Sequence, residues 1–206
     1  MIDPKTHLTE HFTVAEMTAS AQYPKIYNVP PLDVIDNLRH LCEWLEELRS
    51  AYNRRYSRCE VRGTRCENTS SLEYDENTSS PESEPNSASV SAGKLFSHLA
   101  PRTSHLEQPI LINSGYRSKL LNNAVGGALH SNHLTGCAAD IRCPGKEANE
   151  RAKMALRYAM LLVEIAEVRK ERFDELIIER RGTNWWVHFA VKPSGNRMWI
   201  TVINKT

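Results

Sequence analysis

No apolar run in this 206-residue chain approaches the roughly 20 residues needed to span a bilayer, which excludes a membrane-crossing helix. The opening MIDPKTHLTEHF lacks a basic stretch followed by an apolar one, so no secretory leader is expected and synthesis is expected in the cytoplasm. No two of the five cysteines (Cys42, Cys59, Cys66, Cys137, Cys143) have CxxC spacing, and the count is odd. That argues against a disulfide framework and a four-cysteine zinc site, leaving a Cys59–Cys66 bridge as an oxidising-environment alternative. Nor is there a charge excess: 26 basic against 25 acidic residues give +1, and with it no global reason to expect nucleic acid as partner. What remains is ordinary: 40% hydrophobic and 25% charged residues suit one globular domain and exclude collagen-like, coiled-coil or wholly disordered chains.

The pattern along the chain is uneven. Thr13-Val14-Ala15-Glu16 fits a capping box and predicts a short helix ending near Ala21. Pro30-Pro31 precede a 3.6-period stripe of Leu32, Ile35, Leu38, Leu41, Cys42, Leu45, Leu48 and Tyr52, an amphipathic helix whose charged face is solvated. From Arg54 the period dissolves into an arginine-rich stretch, then a Ser-, Asn- and Glu-rich tract without Lys or Arg. Such a tract buries too little apolar surface to offset its ordering entropy, so residues 57–106 read as a flexible insertion. A nucleic-acid role for its arginines lacks the interleaved aromatics that binding would use.

Regular structure resumes at Pro109. Ile110-Leu111-Ile112 reads as a strand ending at Asn113-Ser114-Gly115, and Ser118–Val125 as a helix stopped by Gly126-Gly127. Cys137–Arg142 is a second strand. Residues 148–168 form a helix with Ala152, Ala155, Leu156, Ala159, Leu162, Val163 and Ala166 on one face. FDELIIE, WWVHFAV and MWITVI close the chain as an expected antiparallel meander. The order predicts an α+β single domain, an antiparallel sheet with helices packed on one side.

Most of the eight histidines carry no chemistry in the sequence. His7, His11, His40, His98 and His105 show no acidic partner pattern, and His130 reads as solvated. His133 differs, because a glycine and a short strand after it bring Asp140 into an apolar setting, where a carboxylate is costly to bury unpaired. His188 sits in the otherwise apolar strand Trp186-Val187-His188-Phe189-Ala190, where a satisfied core histidine is the plain alternative. If the three converge, two His and one Asp make a three-ligand zinc set with the fourth position open for water. A zinc so held acidifies water and polarises a carbonyl.

Four separated blocks, SGYRS (114–118), LNNAVGG (121–127), SNHLTGCAAD (131–140) and WVHF (186–189), resemble the M15 family of zinc peptidases. That family holds D-alanyl-D-alanine carboxypeptidases and phage endolysins, and shares a zinc core with the hedgehog signalling domain. SxHxxGxAxD is matched at every fixed position, and HFTVAEMTAS with the Pro30-Pro31 helix resembles one branch's N-terminal part. The resemblance covers residues 8–52 and 108–203. It implies a hedgehog/DD-peptidase-like domain formed by 1–56 and 107–206, with 57–106 inserted.

Carried over, the resemblance makes His133, Asp140 and His188 the ligands of one Zn2+. Arg117 becomes a catalytic and substrate-binding residue gripping a carboxylate or carbonyl oxygen, which suits the guanidinium fork. Ser131 positions the loop or binds substrate. Many members place a Glu three residues before the last histidine, or a second His two before it; here those positions are Trp185 and Trp186. Trp185 reads as core. The expected general base is therefore Glu179, with Glu175 on the same strand face by alternation as the reserve and Asp174 pointing away. A salt bridge from Glu179 to Arg180 or Arg181 is the structural alternative. The implied activity is hydrolysis of peptidoglycan stem peptides, as carboxypeptidase or endopeptidase, by a monomer with no nucleic-acid or membrane partner. It would act as a lysin released to the wall or within the cytoplasm. The alternative is a zinc-stabilised, non-catalytic binding module on the same scaffold.

Overall fold

The computed structural model describes residues 2–60 and 107–205. The expected insertion lies outside them from residue 61 on, as do His98, His105 and Cys66. Its first positions continue a helix: α2 (Leu32–Glu60) runs on past the point where the apolar period fades.

The capping box forms as read: Thr13 N–H donates to Glu16 (2.9 Å), and Glu16 N–H to the Thr13 hydroxyl (3.3 Å). It opens α1 (Val14–Thr18), which stops three residues early. Its last carbonyls leave the helical ladder for other partners, Met17 C=O accepting from Tyr116 N–H (2.8 Å) and Thr18 C=O from the Asn28 amide (2.8 Å).

Three further helical segments and five strands follow: β1 (Ile112–Ser114), α3 (Lys119–Ala124), a 3-10 turn (Asn132–Thr135), β2 (Ala138–Arg142), α4 (Ala148–Arg169), β3 (Glu175–Arg181), β4 (Asn184–Ala190) and β5 (Trp199–Lys205). The α+β class holds. One face of the sheet, carrying Ile141, Leu176, Ile178, Val187 and Phe189, is buried with α2 and α4 in a single core. Trp44 of α2 packs tilted against Phe189 with ring centres 5.3 Å apart, and Tyr52 meets Tyr158 of α4 edge-on at 5.4 Å. Two stripe positions depart from the sequence reading. Leu32 is exposed, and α4 is rotated so that Tyr158, Leu161 and Ile165 face inward while Leu156 faces solvent.

The sheet order is β1-β2-β4-β3-β5, antiparallel throughout except that β5 runs parallel to β3. The expected meander is corrected there: the chain after β4 crosses the start of β3 and adds β5 on its far side. Residues 197–199 explain the crossing. Arg197 grips Asp174 through Nε (2.8 Å), Met198 N–H bonds Phe173 C=O and Trp199 N–H bonds Asp174 C=O, both at 3.0 Å. Met198 takes φ +57° to make the bend, a left-handed conformation costing a side-chain-bearing residue roughly 1–2 kcal/mol.

Candidate metal centre

The sheet face turned away from α2 and α4 carries the polar residues. Asp140 of β2 pairs in register with His188 of β4, so both side chains stand side by side on it. His133 arrives from the 3-10 turn, whose cap is Ser131: its hydroxyl accepts the His133 N–H (3.4 Å). The His133 ring, 2% exposed, has Nδ1 2.6 Å from the Gly115 carbonyl. A carbonyl only accepts, so Nδ1 carries the proton and Nε2 is left as a donor atom. That Nε2 lies 3.3 Å from Asp140 Oδ1, and His188 Nδ1 lies 2.9 Å from the same oxygen. One ligand atom from each residue falls within 4.8 Å of the others. This donor set fits a metal: two imidazoles and a carboxylate converge on one point, with the distal nitrogen of each ring already occupied.

The electrostatics centre on the Asp140 carboxylate, which lies among His133, His188 and Arg117. Burial alone would raise the Asp140 pKa, but His133 and His188 hold its carboxyl well below the usual range. Burial lowers the His133 pKa against the pull of Asp140. For His188 burial also acts downward, yet Asp140 and Glu175 push it up to about 9. Arg117 completes the cluster, donating to Asp140 Oδ2 (2.5 Å) and to the Ser114 hydroxyl (2.7 Å). Its segment is fixed at the backbone, Arg117 N–H bonding His133 C=O at 3.0 Å. The preceding Gly115 has no alternative residue, since a Cβ there would sit 2.4 Å from Met17 O.

The two acids occupy different places. Glu179, 5% exposed, pairs across the strands with Trp186 and makes an ion contact with Lys205 of β5 that lacks hydrogen-bond alignment at Oε2. Its partner is thus neither Arg180 nor Arg181. Glu175 lies 3.2 Å from His188 Nε2. Asp174, just before β3, does not point away: the Asn132 amide donates to Asp174 Oδ2 (2.9 Å) and Glu175 Oε2 (3.1 Å), and Arg197 reaches both acids. Asn132 and Arg197 gave no sequence signal, one occupying a variable motif position and the other a loop. Two histidines do have acids: His11 meets Glu46 (2.8 Å) and His40 meets Glu171 (2.6 Å), both far apart in sequence, and the nearby Glu10 and Glu43 lie at longer range, 3.9 and 3.6 Å.

A cleft of about 570 Å3 opens beside the triad, lined among others by Ser114, Arg117, Asp140, Arg181, Trp186 and Lys205. Trp186 therefore walls the cleft, while Trp185 packs half-buried against the core. Gly126, at φ +70°, turns the chain at the rim after α3.

The sequence model of a family described as Peptidase M15 matches residues 70–173, half of the chain. The chain belongs to the M15 peptidase family. Peptidases of this family are metal-dependent, and in this M15 chain the His133–Asp140–His188 group could hold the ion. The matched stretch takes in Arg117, Ser131, His133 and Asp140 and ends before β3, so the place of His188 rests on the strand register. It begins inside the stretch expected as an insertion. No curated protein matches the chain significantly. Among the described residues no helix is long and apolar enough to cross a membrane.

Proposed function

We propose that this M15 metallopeptidase uses one zinc ion to hydrolyse peptide bonds in peptidoglycan stem peptides, as a carboxypeptidase or endopeptidase. The observation that carries the reading is the convergence of His133 Nε2, Asp140 Oδ1 and His188 Nδ1 at the wall of a cleft holding three cations, Arg117, Arg181 and Lys205. Stem peptides bear free carboxylates, and such a cleft attracts anions. When bound, zinc supplies Lewis acidity toward the scissile carbonyl and toward water.

The chain's own residues do the rest. Arg117 is anchored through Nε and one terminal nitrogen, which leaves the other without a partner among the described residues and free to donate to a substrate carboxylate or carbonyl oxygen. Glu179 is the base: its carboxylate takes a proton from the attacking water and returns it to the leaving amine. Ser131 holds the turn that presents His133. We place the protein's action at the cell wall, reached as a released lysin, working as a monomer.

A second reading, a zinc-stabilised module without turnover, draws on Trp185 and Trp186 standing where many M15 members carry an acid or histidine. Glu179→Ala separates the two. Zinc content is expected to stay at the wild-type level while hydrolysis of muropeptides falls at least about 100-fold, the lower range for a lost general base. Unchanged hydrolysis would remove Glu179 from the mechanism. If the wild-type protein binds zinc but does not turn over, the module reading stands instead.

A further inference from the structure

Only one nitrogen of an imidazole can ligate a metal, and the hydrogen bond on the other decides which. For His133 that bond is the Gly115 carbonyl. His188 has an equivalent partner: Nε2 lies 3.2 Å from Glu175 Oε2, on the ring edge remote from Asp140. A carboxylate there accepts a hydrogen bond from Nε2–H, keeping the proton on that nitrogen and leaving Nδ1 for the metal. It also stands behind the imidazole, away from the point where the three donor atoms meet, and so cannot deliver a proton to the reacting atoms.

We infer that Glu175 is a positioning residue that fixes His188 as an Nδ1 ligand, and that Asn132 and Arg197 hold it in place for that task. This rests on the metal site assigned above. Glu175 Oε2 receives the Asn132 amide (3.1 Å) and Oε1 contacts Arg197, so neither carboxylate oxygen is free to turn away. Asn132 immediately precedes His133 in the 3-10 turn. The same amide also bonds Asp174 (2.9 Å), which grips Arg197 at 2.8 and 3.0 Å. One network therefore spans the turn that carries the first ligand, the start of β3 beside the last ligand, and the β4–β5 crossing. A plain ion pair pinning the crossing would need only Asp174 and Arg197. Glu175 adds the contact to the ring.

The test compares Glu175→Ala and Glu175→Gln in the full chain, with zinc affinity read by competition against a chromophoric chelator. Glu175→Ala is expected to weaken zinc binding about 10- to 100-fold, the usual effect of losing such a partner. Glu175→Gln keeps an acceptor oxygen on Nε2 and is expected to recover most of that loss. Imidazole 15N shifts of zinc-loaded wild-type protein are expected to show His188 protonated at Nε2, and in Glu175→Ala that signature is expected to disappear. The melting temperature of the metal-free variants separates folding from ligation. Wild-type zinc affinity in Glu175→Ala, with affinity lost in His188→Ala, would overturn the positioning role alone. Zinc affinity unchanged in His188→Ala would overturn the metal site itself.

Discussion

Asp174 is fully buried yet ionised, and its surroundings explain how. Burial alone would raise its pKa, but hydrogen bonds from Arg197, Asn132 and Lys192 hold it far below the usual carboxylate range. A pKa depressed by folding contributes stability that is fully present above the unfolded value, near 3.9, and is lost as pH falls through the folded value. Wild-type stability is therefore expected to decline steeply below about pH 4. Asp174→Asn removes the charged acceptor that Arg197 grips and is expected to cost about 1.5–3 kcal/mol at pH 7, with a shallower decline toward acid. Urea unfolding at a series of pH values checks this; parallel curves for the two proteins would contradict it. Nothing in the sequence marks Asp174, because its partners lie 18 to 42 residues away, on the 3-10 turn and on the segment after β4.

At the scale of elements, the site depends on how α1 meets the segment before α3. Gly115 sits against the Met17 backbone, and its carbonyl accepts the hydrogen bond from His133 Nδ1–H. Gly115→Ala has to push the two apart, with an expected loss of about 1–3 kcal/mol and a weaker metal site. Thermal melting with and without zinc reads both effects, and a variant matching wild type in both would refute the close approach. The helices were legible because their apolar residues recur at 3.6, and β2 and β4 because apolar runs end at turn residues. β5 was misplaced for a physical reason: Pro193-Ser194-Gly195 resembles a hairpin turn, whereas the direction of the chain is decided by Arg197, Met198 and Trp199 bonding to 173–174. The donors could be named from the motif, but their common origin at Asp140 Oδ1 came from the β2–β4 register, which no local pattern encodes.

For the molecule as a whole, the near-neutral charge hides a concentration of paired charges on one sheet face. The cleft gathers Arg117, Arg181 and Lys205, while Asp140 and the acids of β3 lie on the same sheet face among cationic partners. Metal binding links this site to global stability, since the folded chain brings together residues 133, 140 and 188 that the unfolded chain scatters. Zinc at 100 times its dissociation constant is expected to add about 2.7 kcal/mol to unfolding, reversed by chelator. Calorimetry in the two conditions measures it, and an unchanged transition would deny the site. The measurement that bears most directly on the central claim is mass spectrometry of defined muropeptides incubated with zinc-loaded and with chelator-treated protein. The zinc-loaded protein is expected to release D-alanine or a cleaved stem fragment, and the chelated protein and His133→Ala none. A full muropeptide panel left intact by a protein that binds zinc through His133 would contradict the peptidase mechanism while leaving the metal centre standing.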